Sequence, residues 1–141
     1  MVIKKVGLGE GSFGFRNLVA FTTAGVTNWT VPEELRKGRK CYVKVIGGGA
    51  SGGIGSTTAS AVTCGGGGGG GGVAEGLVDL TGINSVSITV GAGGAPVSGI
   101  SVNGKNGGSS SFGTYMSASG GYIQPGTASG CFVYAHRKSE P

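Results

Sequence analysis

Hydrophobic and polar residues alternate in short stretches along this chain, and they almost nowhere recur at the 3.6-residue spacing of a helix. The clearest stretch is CYVKVI, residues 41–46. There Cys41, Val43 and Val45 fall on one side of an extended backbone and Tyr42, Lys44 and Ile46 on the other. SVSITV, residues 85–90, repeats the pattern with Val86, Ile88 and Val90 sharing a face. LVAFTT, VTNWTV, VAEGLVDL, one or two short strands in SSSFGTYMSAS, and a closing CFVYAH bring the expectation to seven or eight strands. Turn signals separate them: Gly25, Thr81 with Gly82, and Pro32, which suits a strand exit because proline donates nothing to a ladder. Glu33 to Lys40 reads as a charged connection with one helical turn. The fold class that follows is all-β, a small β-sandwich-like domain over residues 20–141, preceded by an extended lead-in over 1–19.

Composition changes that picture in one respect. Glycine supplies 34 of 141 residues, without the G-x-y period of collagen, and eight stand in a row from Gly65 to Gly72. Charged residues make up only 12%, unlike a disordered chain. Ordering a glycine costs about 0.5–1 kcal/mol more than ordering an alanine, so fixing that run costs ~4–8 kcal/mol, comparable with the ~5–15 kcal/mol net stability of a domain. The run is therefore either a mobile loop or a segment held by backbone packing that only glycine permits. Polyproline II helices, with three residues per turn and no Cβ between neighbours, are one such packing. Gly47–Gly53, Gly65–Gly72 and Gly91–Gly94 are the segments expected to lie together in it.

Glycine also tempts a nucleotide reading, since Gly47, Gly49 and Gly52 follow the strand CYVKVI with G-x-G-x-x-G spacing. A dinucleotide site needs a helix N-terminus aimed at the pyrophosphate and an acidic side chain about 20 residues on, and here eight glycines occupy that place. No G-x-x-x-x-G-K-[ST] occurs either, so no nucleotide cofactor is expected. His136 is the sole histidine, and the adjacent Glu33 and Glu34 diverge on an extended chain, so no catalytic constellation is visible and a non-enzymatic protein is expected. Cys41, Cys64 and Cys131 lack a C-x-x-C pair. They read as reduced, partly buried thiols rather than a disulfide framework or, with His136, a zinc centre. No apolar run is long enough to span a membrane, and Met1–Ala20 lacks a secretory h-region, so assembly in a cytoplasm without membrane insertion is expected.

Net charge is +5, and much of it comes from Arg36, Lys37, Arg39 and Lys40, with Lys44 beyond. Such a basic patch suits a phosphate or an acidic glycan, but no interleaved aromatics or nucleic-acid motif accompany it, and a solvated loop before a strand is the favoured explanation.

Several segments in order resemble the glycine-rich domain near the C-terminal ends of bacteriophage and prophage tail fibres and tail-tip proteins. They are FTTAGVTNWTVP, CYVKVIGGGASGG, SITVGAGGAP, NGGSSSFG with MSASGG, and the closing CFVYAH, together running from about Ala20 to His136. The resemblance implies a virion tail protein assembled in the host cytoplasm and taking part in host attachment. Its implied partners are other tail or baseplate proteins and a bacterial surface glycan or outer-membrane receptor, and its implied assembly is a homotrimer. A purely structural tail cap or connector is the alternative. The chain is short and starts with its own methionine, which points to a separate small subunit docked through residues 1–19. Aromatic rings beside glycine and serine stretches suit stacking on a sugar face, so Phe112, Tyr115 and Tyr122, with Lys105 and Asn106, are the candidate receptor contacts.

Overall fold

The computed structural model describes residues 2–6, 15–56 and 62–123. Its strands are β1 (Val2–Val6), β2 (Phe15–Ala20), β3 (Gly25–Thr30), β4 (Lys40–Ile46), β5 (Val73–Asp79), β6 (Ser85–Val90), β7 (Ser110–Phe112) and β8 (Met116–Ala118). A single helical turn, α1 (Glu33–Arg36), follows Pro32, as the charged connection predicts. The closing CFVYAH lies outside the described residues.

The strands form two antiparallel four-stranded sheets, ordered β2-β1-β4-β5 and β3-β6-β7-β8. The all-β expectation holds, with the two sheets stacked so that β4 and β5 lie across from β7 and β8. The lead-in supplies two strands of the first sheet, because β1 pairs with both β2 and β4.

Alternation decides the core. Cys41, Val43 and Val45 of β4 are fully buried, while their neighbours Tyr42, Lys44 and Ile46 look outward, as the period-two pattern requires. Val78, Leu80, Val31, Leu35, Val86, Ile88, Phe112 and Ala118 complete the cluster. Phe112 is its largest member and touches Trp29 at a ring separation of 6.1 Å. Trp29 in turn meets Phe21 edge-on at 6.4 Å. Each fully buried Val, Leu, Ile or Phe of the cluster contributes about 1.5–3 kcal/mol by leaving water.

Beyond one end of the sandwich, β4, β5, β6, β7 and β8 all continue into glycine-rich chain: 47–55 from β4, 65–72 into β5, 91–94 from β6, 102–108 into β7, and 119–123 from β8. These five segments form a bundle whose hydrogen bonds recur every third residue. Gly47, Ala50 and Gly53 donate to Gly72, Gly69 and Gly66 at 2.9, 2.8 and 2.8 Å, while Gly48, Ser51 and Ile54 donate to Gly108, Lys105 and Val102 at 2.9, 2.9 and 2.7 Å. A three-residue repeat with donors leaving in different directions is the polyproline II signature, and it excludes a β ladder, whose period is two. The segment 47–55 sits in the middle and also accepts from Gly94 and Gly121.

The sandwich explains why the glycines are needed. Face-to-face sheets lie about 10 Å apart because side chains fill the gap. In the bundle the two layers are joined directly, for example by Gly69 N–H to Tyr122 O at 3.1 Å and Gly72 N–H to Ser119 O at 2.8 Å. A methyl group at Gly71 or Gly68 would stand 2.0 or 2.1 Å from the carbonyl oxygen of Gly47 or Ala50, and one at Gly107 would stand 1.9 Å from that of Gly48. Removing side chains is what lets the layers merge, and the backbone donors and acceptors exposed by the loss of the sheets satisfy one another. Of the two options open for Gly65–Gly72, the structure takes the packed one.

Candidate functional site

The strand-to-bundle junction leaves no room for a nucleotide above β4. Gly47 and Gly48 are packed against the backbone of Ser119 and of Ala92, and no helix follows β4 among the described residues. The surface available for recognition is instead the outside of the bundle and its far end.

Three-residue periodicity sends successive side chains about a third of a turn apart, which sorts the candidate contacts. Asn106 points to the flank shared with 119–123, where its Oδ1 accepts the Ile123 N–H at 2.8 Å. Tyr122, 70% exposed, stands beside it, its carbonyl held by Gly69. Lys105 is held by two bonds to Ser51, its N–H to Ser51 Oγ at 2.9 Å and its carbonyl to Ser51 N–H at 2.9 Å. It takes the flank of 91–94, as its periodic equivalent Gly108 shows by abutting Ala92. No carboxylate among the described residues pairs with Lys105. The structure thus brings Tyr122 and Asn106 together and sets Lys105 on the adjoining flank.

The other two aromatics are elsewhere. Phe112 is fully buried and serves the core, so it is no surface contact. Its place follows from alternation in a short strand that the glycine-rich surroundings obscure. Tyr115 is 44% exposed but lies at the turn between β7 and β8, which points away from the bundle, with its ring 6.1 Å from Phe112.

Acids answer part of the basic cluster. Lys37 pairs with Glu33 at 2.6 Å across one turn, Lys44 with Glu75 at 3.6 Å between strands, and Lys40 stands opposite Asp79 in the β4–β5 register. Arg36 donates to Asn84 Oδ1 at 3.3 Å. Of Arg36, Lys37, Arg39 and Lys40, then, Lys37 and Lys40 face a carboxylate and Arg36 faces an amide. Glu75 is held below the ordinary carboxylate range first by the Tyr42 hydroxyl and then by Lys44. Asp79 is lowered by the hydroxyl and N–H of Thr81, at 2.6 and 3.0 Å.

The cysteines divide. Cys41 is free and fully buried, its thiol directed to Val78 O at 3.6 Å, and burial pushes its pKa up to about 11. Cys64 is disulfide-bonded, which corrects the expectation of three reduced thiols. The missed signal is position: an odd cysteine count hides a pair when the third thiol is a core residue. No cluster of metal-ligating side chains occurs among the described residues, and Cys131 and His136 lie outside them.

No curated protein and no solved structure matches the chain significantly. Residues 22–136, most of the chain, match the family described as a glycine-rich domain. The matched span starts after β2 and takes in every segment of the bundle, and the chain belongs to the glycine-rich domain family.

Proposed function

We propose that this is a non-enzymatic bacteriophage or prophage tail-fibre or tail-tip protein that takes part in attachment to the host surface. The observation that carries the reading is the bundle itself, in which five segments hydrogen-bonded at three-residue intervals hold exposed side chains on a scaffold with little freedom left to lose. Binding to a preorganised surface avoids much of the ordering entropy that a mobile glycine loop would surrender. Tyr122 offers a ring face and Asn106 an amide to a bacterial glycan or outer-membrane receptor, and Lys105 adds a cation on the adjoining flank. Residues around β1 and β2, outside the family match, are the face for other tail or baseplate proteins. Trimeric assembly multiplies the weak single-site contacts into avidity.

The test is adsorption. Labelled protein binds cells of the strain that the phage infects or the prophage inhabits, and Tyr122→Ala with Asn106→Ala lowers that binding while leaving the melting temperature in place. Retained adsorption in the double variant, together with electron microscopy locating the chain inside the tail, would establish a structural cap instead. Sugar released from host envelope would establish an enzyme.

A further inference from the structure

Of the three cysteines in the chain, Cys41 is free and Cys64 is disulfide-bonded. Cys41 is fully buried between the sheets with its thiol turned to Val78 O, whereas Cys64 is exposed and immediately precedes Gly65, which abuts Gly53 in the bundle. With Cys41 excluded, Cys131 is the one cysteine of this chain left to pair with Cys64. Chain length permits that bond. Ile123 is bridged to Gly68, four positions from Cys64, which is about 12 Å at the ~3.1 Å per residue of a polyproline II segment. Cys131 follows Ile123 by eight positions, and that length of extended chain spans up to ~26–29 Å.

The segment between β8 and this link is 119–123, which carries Tyr122. It is held to the bundle by hydrogen bonds: Gly72 N–H to Ser119 O at 2.8 Å, Gly121 N–H to Gly48 O at 2.8 Å, Gly107 N–H to Gly121 O at 2.9 Å, Gly69 N–H to Tyr122 O at 3.1 Å, and Ile123 N–H to Asn106 Oδ1 at 2.8 Å. None of its side chains belongs to the core cluster, and Tyr122 is exposed. Water competes for such bonds, so each holds the segment only weakly. A covalent link on its C-terminal side removes chain conformations in which the segment has swung away from 65–72.

We propose that Cys64 is bonded to Cys131 and that this disulfide is a redox-sensitive clasp holding segment 119–123, with Tyr122, on the bundle. Closure is thiol–disulfide exchange with a low-molecular-weight disulfide such as oxidised glutathione. One cysteine thiolate attacks it and displaces a thiolate, and the second cysteine thiolate attacks the mixed disulfide and displaces the other. The two protons given up by the cysteines end on the two released thiols. A dithiol reverses both steps and is itself oxidised to a disulfide. Exposure of Cys64 gives either reagent access, and exposed disulfides are the labile ones. The bond and the clasp stand apart from the attachment reading, while their consequence for adsorption, through Tyr122, rests on it.

The experiment begins with a disulfide map. The full chain is incubated with oxidised glutathione, unfolded in iodoacetamide without reductant, and digested with trypsin, which places Cys41, Cys64 and Cys131 on separate peptides, 41–44, 45–105 and 106–137. The expected result is 45–105 joined to 106–137, lighter by two hydrogens than the separate peptides, with 41–44 alkylated. A link to 41–44, a dimer dissolved by reductant, or separate alkylation of 45–105 and 106–137 overturns the proposal. Amide hydrogen exchange then reads the clasp. Dithiothreitol speeds exchange at Gly121 and Ile123 about tenfold and leaves β4 and β6 unchanged. Cys64→Ser exchanges at the fast rate with or without dithiothreitol. Equal rates at Gly121 and Ile123 before and after reduction refute the clasp. If the link and the exchange response are found but Tyr122→Ala adsorbs to cells as the wild type does, the attachment reading falls and the clasp stands. Adsorption lost in Tyr122→Ala with no link between Cys64 and Cys131 gives the reverse.

Discussion

Within the run Gly65–Gly72, glycines at different positions do different work, and alanine substitution separates them. A methyl group at Gly68 would stand 2.1 Å from Ala50 O and one at Gly71 2.0 Å from Gly47 O, whereas nothing lies within 4 Å of a methyl group at Gly67 or Gly70. Relief of the first two clashes needs segments 47–55 and 65–72 to part by more than an ångström. That stretches the bonds from Gly47, Ala50 and Gly53 to Gly72, Gly69 and Gly66, now at 2.9, 2.8 and 2.8 Å. At about 0.5–1.5 kcal/mol net for each bond, losing two or three costs ~1–4 kcal/mol. Gly68→Ala and Gly71→Ala therefore lower the melting temperature by on the order of 10 °C, taking a few degrees per kcal/mol for a chain of this size. Gly67→Ala and Gly70→Ala face solvent and restrict the unfolded chain, so they are neutral or stabilising by up to ~1 kcal/mol. Thermal and urea unfolding followed by circular dichroism measure all four. If the inward and outward pairs behave alike, the chains do not pack backbone to backbone, and close approach is not what glycine provides in this run.

Other expected outcomes concern the sandwich and its surface. Phe112→Ala leaves a void between the sheets and costs about 3–5 kcal/mol in urea unfolding, while Tyr115→Ala, at the exposed turn, changes stability by well under half of that. A Phe112 variant of wild-type stability would show that the sheets do not close on that ring. Cys41, buried and with its pKa raised to about 11, resists iodoacetamide at pH 8 in the folded protein and reacts on denaturation. Fast native labelling of Cys41 would contradict its burial. Tyr42→Phe removes the main group lowering the Glu75 pKa, so that pKa rises toward its ordinary value, as a carboxyl NMR titration reads directly. Because the folded value is depressed, any stability Glu75 adds is present above its unfolded pKa and fades as pH falls through the folded one. Tyr42→Phe makes that fading smaller, and an unchanged Glu75 titration would exclude the hydroxyl as its cause. Ser101→Gly relieves a left-handed serine and stabilises by on the order of 1 kcal/mol, and destabilisation would show that the turn depends on the hydroxyl.

Local chemistry made much of this molecule legible from its residues alone. Alternation in CYVKVI and SVSITV identifies the buried faces of β4 and β6 without a partner in view, because a strand's side chains must alternate whatever they meet. Pro32 with the charged run announces the turn of helix, and the missing acid and helix after Gly52 dispose of the nucleotide reading. The glycine-rich character read over Ala20–His136 corresponds closely to residues 22–136, which match a glycine-rich domain.

What the residues could not say is which chains meet. Gly47–Gly53, Gly65–Gly72 and Gly91–Gly94 are conspicuous by composition, but 102–108 and 119–123, with Lys105, Asn106 and Tyr122 among their glycines, pack just as closely. Those two read as loop and strand flanks until the chain ends of both sheets are placed side by side. Phe112 likewise looks like a surface ring in a serine-rich stretch until two sheets close over it, and Cys64 reads as a thiol until it is bonded. Periodicity is a property of one chain and is written in its order. Contact between backbones stripped of side chains is a property of several segments at once, and only the folded sandwich, by delivering five strand ends to one place, determines it.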